Sequence, residues 1–312
     1  MRFKWLLFTA LLGLTACSSS STSTTPTAPP FMKLYATSFV SSGTGLAVFA
    51  PPFSASSTPS IMVPASGTSG LAEPGGIAID RLGRVYTIND ATSPSVITIY
   101  ATPLSAASTP TTSITLPASS NAYGLTLDGS GDIWASDRAG LGSHLYEYTP
   151  PFTNTSTPAL TLTGAANGLN DAAGMAFDSA GQLAVAGETT SNIVVYNPPF
   201  SASSTPAATF ATATEAQGVV FDSTGRLFAV NSSGVIQVFV GPFSNTTVES
   251  FHFGATSGFC ISPAFDAAGN LWITNSGGPN IQEYSPPFSG TTTAALTISN
   301  GVMNNYGVAF GP

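Results

Sequence analysis

Charge is scarce in this chain: only 7% of its 312 residues are Asp, Glu, Lys or Arg. Ser, Thr and Asn must therefore supply much of the wetted surface. A chain that is 43% hydrophobic also lacks the charge-rich, apolar-poor composition of intrinsic disorder. Basic residues are scarcer still, with 7 Lys and Arg against 15 Asp and Glu. No basic patch can form, which argues against nucleic acid and anionic lipid surfaces as partners of the folded domain. Two cysteines, Cys17 and Cys260, provide no disulfide framework. The two histidines, His144 and His252, fall in outer-strand positions and give Cys260 no nearby base. Cys260 therefore reads as a small buried hydrophobe rather than a nucleophile. Helical periodicity is missing beyond the first 16 residues. In its place β-branched and aromatic residues alternate with small polar ones, and Gly and Pro separate the runs, as strands and turns require.

What the chain has is repetition. A phrase of the form G-x-hydrophobic-x-Asp-x-x-Gly-x-hydrophobic starts at Gly76, Gly124, Gly174 and Gly218, and again, with Ser for Gly, at Ser262. At Gly307 it begins once more and the sequence stops; its second half lies at the other terminus, where Leu34-Tyr35-Ala36-Thr37-Ser38 matches Leu271-Trp272-Ile273-Thr274-Asn275. A copy split this way is completed only by closing a ring, which also removes exposed sheet edges. A second phrase alternates with the first. An aromatic residue (Phe49, Tyr100, Tyr148, Tyr196, Phe239, Tyr284) is followed three residues later by Pro, and then by Phe53, Leu104, Phe152, Phe200, Phe243 or Phe288. Those last residues are spaced by 51, 48, 48, 43 and 45 positions. A period of roughly 40–50 residues with four short strands per unit predicts a propeller blade. The expected fold is all-β: a six-bladed β-propeller with four antiparallel strands per blade, the ring closed by the C-terminal innermost strand pairing with the N-terminal strands.

One face of this propeller should be structural. Asp80, Asp128, Asp178, Asp222 and Asp266 read as turn residues that accept backbone N–H groups, and the Pro-Phe phrase on the same face ends the third strands and packs. The opposite face carries the starts of the first strands and the ends of the second, and here the blades differ. Seven residues before each turn Asp stand Glu73, Asn121, Asp171, Glu215 and Phe259, with Asn304 in the split blade. Nine residues after it stand Asn89, Asp137, Gly187, Asn231 and Asn275, with Ser38 in the split blade. Two oxygen-rich rings should thus surround the axial mouth. Glu73, Asn121, Asp171, Glu215 and Asn304 are the candidate metal ligands, since oxygen-only donors suit a hard cation such as Ca²⁺. Asn89, Asp137, Asn231 and Asn275 are the candidate ligand-binding residues. Neither ring position holds Lys or Arg, and the alternative reading is a hydrated channel mouth.

The start of the chain is a targeting segment. Arg2 and Lys4 precede a short apolar run, Trp5 to Leu14, too short to span a bilayer as a mature helix. It ends in Leu14-Thr15-Ala16-Cys17, which resembles a bacterial lipobox. The resemblance implies cleavage before Cys17, lipidation of Cys17 and, with Ser18 following, delivery to the outer membrane. Residues 1–16 are then a signal peptide, 17–31 a flexible Ser/Thr/Pro-rich tether, and 32–312 the propeller. Loss of Arg2 and Lys4 lowers Lys plus Arg from 7 to 5 against 15 acids, a formal charge of −10. Membrane contact is expected through the anchor alone.

The GIAID-x-x-G-x-hydrophobic-Tyr phrase with its following I-x-x-Tyr resembles NHL repeats from about Leu34 to the end. The resemblance implies a six-bladed propeller and is silent on activity. More distantly, the chain is similar to gluconolactonase-like lactonases, which hold a divalent metal at the axial mouth through Glu, Asn and Asp. Glu73, Asn121, Asp171 and Glu215 match that chemistry by type and position. Vgb-like lyases, another propeller group, are expected to place a His near the site, and neither His144 nor His252 falls there. The sequence thus reads as a monomeric cell-envelope lipoprotein whose propeller binds a protein or glycan at its variable face. The enzyme alternative is a metal-dependent lactonase or hydrolase, in which the cation polarises a carbonyl or a bound water. A passive surface scaffold is the third reading.

Overall fold

The five unbroken copies of the first phrase fold as β-hairpins, the split copy pairs its two halves across the termini, and every copy of the second phrase forms the hairpin outside it. The structure, a computed structural model, describes residues 32–312 apart from 92, 119, 140–141, 165–166, 255–259 and 302–303. The expected signal peptide, the tether, Cys17 and Phe259 lie outside the described residues. In chain order the strands are β1 (Lys33–Ser38), β2 (Gly43–Phe49), β3 (Ile61–Ala65), β4 (Pro74–Ile79), β5 (Val85–Asn89), β6 (Val96–Tyr100), β7 (Thr112–Thr115) and β8 (Ala122–Leu127). There follow β9 (Ile133–Asp137), β10 (His144–Tyr148), β11 (Leu160–Thr163), β12 (Ala172–Phe177), β13 (Leu183–Gly187), β14 (Asn192–Tyr196), β15 (Ala208–Ala211) and β16 (Ala216–Phe221). The last are β17 (Leu227–Asn231), β18 (Val235–Phe239), β19 (Phe251–Gly254), β20 (Cys260–Phe265), β21 (Leu271–Asn275), β22 (Asn280–Tyr284), β23 (Leu296–Ile298) and β24 (Asn305–Gly311).

They form six four-stranded antiparallel sheets. Blade 1 has the order β24-β1-β2-β3, so the split copy is completed across the termini, with Leu34 opposite Phe310 and Ala36 opposite Val308. Blades 2 to 6 are β4–β7, β8–β11, β12–β15, β16–β19 and β20–β23. The inner strands β4, β8, β12, β16, β20 and β24 contact one another in that cyclic order, which closes the ring.

The turn chemistry is as the sequence predicts. Asp80 Oδ1 accepts the backbone N–H groups of Leu82 and Arg84 at 2.9 and 2.8 Å, and the same pair of bonds recurs at Asp128, Asp178, Asp222 and Asp266. The glycine of this turn, Gly83 in blade 2, sits at φ 80°, a conformation that a side chain would strain. The Pro-Phe phrase packs between blades. Phe152 meets Tyr86 at 6.1 Å between ring centroids, Phe200 meets Trp134 at 5.1 Å, Phe288 meets Phe228 at 5.2 Å and Phe53 meets Trp272 at 5.2 Å. In each pair the Phe of one blade lies on the second-strand aromatic of the blade before it. A ring contact of this kind adds about 0.5–1.5 kcal/mol to the area it buries.

The axis is a cavity of about 250 Å³, lined by Ile77, Leu125, Met175, Val219, Val308 and Phe310 among others. Its waist depends on the small residues of the repeat. A Cβ on Gly76 would lie 2.6 Å from the Leu125 backbone nitrogen, so only glycine lets the inner strands stand this close.

Candidate functional site: the axial mouth

Three concentric positions build the mouth. The first precedes each inner strand, where the sequence places Glu73, Asn121, Asp171, Glu215 and Asn304. Their carbonyls are tied to the residue just past the second strand: Asp90 N–H donates to Glu73 O at 3.3 Å, Arg138 to Asn121 O at 2.9 Å, Glu188 to Asp171 O at 3.0 Å, Ser232 to Glu215 O at 3.1 Å and Phe39 to Asn304 O at 2.9 Å. Glu73, Asp171 and Asn304 hold left-handed backbone at φ 50°, 48° and 48°, which costs roughly 1–2 kcal/mol at each non-glycine residue. Their side chains are not gathered on a common point. Asn304 Nδ2 donates to Phe39 O at 2.8 Å, and the Asp171 carboxylate accepts from the Thr189 hydroxyl. The Asn121 amide, assigned with its nitrogen toward Asp90, donates to both carboxylate oxygens at 2.8 and 2.9 Å; the reverse assignment would face oxygen against oxygen. Glu73, Asp171 and Glu215 do not bring carboxylate oxygens within 4.8 Å of one another as a group. As placed, this donor set does not close on one ion.

The second position carries Asn89, Asp137, Asn231 and Asn275, expected to face a ligand. All four are at most 3% exposed and belong to the scaffold. Asn89 Oδ1 accepts Ala72 N–H at 3.0 Å and Asp137 Oδ1 accepts Asn121 N–H at 3.0 Å. Asn231 Oδ1 accepts the N–H groups of Ser233 and Val235, and Asn275 Oδ1 those of Gly277 and Gly278. Asn231 and Asn275 therefore cap turns, and Asn89 and Asp137 tie the approach to the inner strand to the end of the second strand. His144 is also closer to the mouth than its strand position suggests: its Nδ1 lies 3.3 Å from Asp137 Oδ2. His252 stays at the rim beside Glu249.

The third position, one residue further on, holds Asp90, Arg138, Glu188, Ser232, Ser276 and Phe39. Three consecutive blades thus present a minus–plus–minus array. Arg138 Nη1 lies 3.0 Å from Glu188 Oε2, and Nη2 lies 4.0 Å from Asp90 Oδ2. Its guanidinium covers the Tyr123 ring at 4.1 Å from the centroid. Beneath it, Tyr123 OH donates to Gln217 Oε1 at 3.0 Å and meets Tyr306 edge-on at 5.5 Å, while Tyr306 stacks on Phe39 at 4.4 Å. Tyr123, Gln217 and Tyr306 come from blades 3, 5 and 1, and the intervening blades carry the smaller Gly75, Ala173 and Ile261 at that position. Large side chains on alternate blades can therefore share the axis and cap the cavity.

Burial pushes the Asp90 carboxyl above the ordinary range; the Ser95 hydroxyl and Arg138 oppose this, and Glu73 and Asp137 add to it. Burial also works against the charge on Arg138, but Glu188 and the surrounding groups outweigh it and hold the guanidinium protonated. The mouth therefore has a counter-charge that neither sequence ring contained. The repeat alignment stops one residue short of it: reading the position after Asn89, Asp137 and Asn231 would have found Arg138.

No protein-family model matches the sequence, and no curated protein matches it. Solved structures do. A periplasmic gluconolactonase of Pseudomonas aeruginosa is 12% identical with a TM-score of 0.61, over 86% of this chain and 83% of that one. A 6-phosphogluconolactonase, so described provisionally, from Bacteroides fragilis is 13% identical with a TM-score of 0.63, over 92% and 100%. A protein of unknown function from Bacteroides caccae is 10% identical with a TM-score of 0.66, over 89% and 98%. The likeness is one of fold. The chain is a six-bladed propeller with lactonase-type structural neighbours.

Proposed function

We propose that the axial mouth binds and hydrolyses a small oxygen-rich lactone, the reaction named for the gluconolactonase neighbour. The observation that carries this reading is Arg138, set between Asp90 and Glu188 over the capped axis. Lactone opening needs a base for water and a positive group for the oxyanion. Asp90, with its carboxyl raised by burial, takes the proton from a water that attacks the lactone carbonyl. Arg138 stabilises the tetrahedral oxyanion. The ring C–O bond then breaks, and the leaving alkoxide takes the proton back from Asp90, so lactone plus water gives the hydroxy acid. Glu188 holds the Arg138 plane and keeps it charged.

The test is turnover of glucono-1,5-lactone by the parent, Asp90→Asn and Arg138→Lys. Loss of an oxyanion donor costs about 10²–10³ in kcat in comparable sites. Hydrolysis by the parent no faster than the spontaneous reaction, or equal rates in all three proteins, overturns the enzyme reading. A binding module for a glycan or protein is the second reading, favoured by the Phe39–Tyr306 aromatic face beside the charged array. Lectin-type binding with no turnover would support it. In either case the lipobox-like Leu14-Thr15-Ala16-Cys17 supports a lipid-anchored protein of the bacterial outer membrane.

A further inference from the structure

The turns of the six blades act as controls for one another. In blade 2, Asp80 Oδ2 accepts Arg84 Nε–H at 2.6 Å and Tyr86 OH at 3.1 Å. In blade 5, Asp222 Oδ2 accepts Arg226 Nε–H at 2.7 Å. In blade 6, Asp266 Oδ2 accepts Asn270 Nδ2–H at 2.9 Å and Trp272 Nε1–H at 3.0 Å. The residue four past the Asp is a donor in each, and Gln182 and Lys33 hold the matching place in blades 4 and 1. Blade 3 departs from the pattern. Asp132 stands where the other blades have a donor, and Glu147 of β10 adds a third carboxylate. One oxygen from each of Asp128, Asp132 and Glu147 lies within 4.8 Å of the other two. All three residues are half-buried, and no basic side chain among the described residues pairs with them.

A second observation is independent of the acids. Trp134 is 0% exposed, and its Nε1–H has no acceptor. Its ring packs on Phe177 at 5.6 Å and 68° and on Phe200 at 5.1 Å and 67°. The equivalent Trp272 packs on Phe310 at 5.7 Å and 63° and on Phe53 at 5.2 Å and 73°. Trp272, six residues past its turn Asp, donates its Nε1–H to Asp266 Oδ2 at 3.0 Å, and Tyr86 at the same repeat position donates to Asp80 Oδ2. Trp134 holds that position in blade 3, yet its Nε1–H reaches neither Asp128 nor any other acceptor. Trp134 is also directly opposite Glu147 in the β9–β10 register. A buried N–H beside uncompensated carboxylates marks a place for a group that brings both positive charge and acceptor oxygens.

We infer that Asp128, Asp132 and Glu147 bind a hydrated hard divalent cation of the Ca²⁺ class, on the face opposite the axial mouth. Carboxylate oxygens and water are the ligands such ions prefer. Water in the shell offers the oxygen that Trp134 Nε1 lacks. Three partly exposed carboxylates predict modest affinity, with Kd on the order of 10⁻⁴ to 10⁻³ M. The site does not depend on the lactonase reading.

The test is calorimetric titration of Ca²⁺ into chelator-treated protein, with Tb³⁺ luminescence excited through tryptophan to locate the site. The parent should bind one ion. Asp132→Asn should weaken binding at least tenfold. Asp132→Arg, which copies Arg84 and Arg226, should abolish it and raise the Tm of the metal-free protein. Trp134→Phe should lose the sensitised Tb³⁺ emission and keep calorimetric binding, whereas Trp272→Phe should keep both. A Glu73→Gln/Glu215→Gln variant at the mouth should bind like the parent. No Ca²⁺ binding by the parent up to 10 mM, or binding by a cooperatively melting Asp132→Asn equal to the parent's, overturns the inference. So does binding that is lost in the mouth variant.

Discussion

Removing residues 306–312 should open the ring. These residues supply four of the five registered partners of β1, namely Val308, Ala309, Phe310 and Gly311. Four ladder positions at about 1 kcal/mol each contribute roughly 4 kcal/mol. Val308 is 3% exposed, and Tyr306 and Phe310 are half-buried; together they add about 4–5 kcal/mol of apolar burial. The bonds from Lys33 Nζ and Tyr35 OH to Pro312 O are lost as well. A total near 8 kcal/mol is comparable with the whole stability of a typical domain, about 5–15 kcal/mol. The truncated protein should melt far below the parent, bind a hydrophobic dye, and expose the inner edge of β1. A graded control keeps the claim testable if truncation abolishes folding. Val308→Ala should cost about 2 kcal/mol and lower Tm by roughly 4–8 °C. Met62→Ala, 47% exposed on the outermost strand of the same blade, should change stability by less than about 0.5 kcal/mol. A truncated protein with the parent's melting curve, or Val308→Ala no worse than Met62→Ala, would refute ring closure by β24 as a source of stability.

Two further outcomes follow from the same structure and a third from the Leu14-Thr15-Ala16-Cys17 motif. Gly76→Ala should lower stability by about 1–3 kcal/mol because its Cβ meets backbone at 2.6 Å; an unchanged melt would mean the inner strands have room to spare. Burial pushes the Asp80 and Asp222 carboxyls up, but hydrogen bonds from Arg84 and Tyr86, and from Thr224 and Arg226, outweigh it and hold both below the ordinary carboxylate range. A folded pKa below the unfolded one gives stability that is present above about pH 4 and is lost as pH falls through the folded pKa. Asp80→Asn/Asp222→Asn should therefore be less stable than the parent at pH 7 and lose less on acidification, and parallel stability–pH curves would count against it. Cys17→Ser should move the protein from the membrane fraction to the soluble fraction, as membrane and soluble fractions probed separately would show; unchanged membrane association would place the anchor elsewhere.

The repeat period, the Asp-x-x-Gly turns and the split sixth copy were enough to read the ring from sequence alone. Each is a local or strictly periodic constraint, and Leu34 finds Phe310 because no other closure completes blade 1. The face carrying the variable residues was legible for the same reason, since antiparallel pairing puts first-strand starts and second-strand ends together. What each side chain does there was not. Asn89, Asp137, Asn231 and Asn275 looked like a ligand ring and are buried residues bonded to backbone N–H groups, because a strand's last residue and the one after it face different surroundings. Arg138 became the centre of the mouth only when blades 2, 3 and 4 stood side by side and brought Asp90 and Glu188 to it. In the same way, Glu147 lies 15 residues past Asp132 in sequence and joins it only through the β9–β10 register. Periodicity specifies which positions recur; contacts between blades depend on lateral packing, and that is decided only when the chain closes on itself.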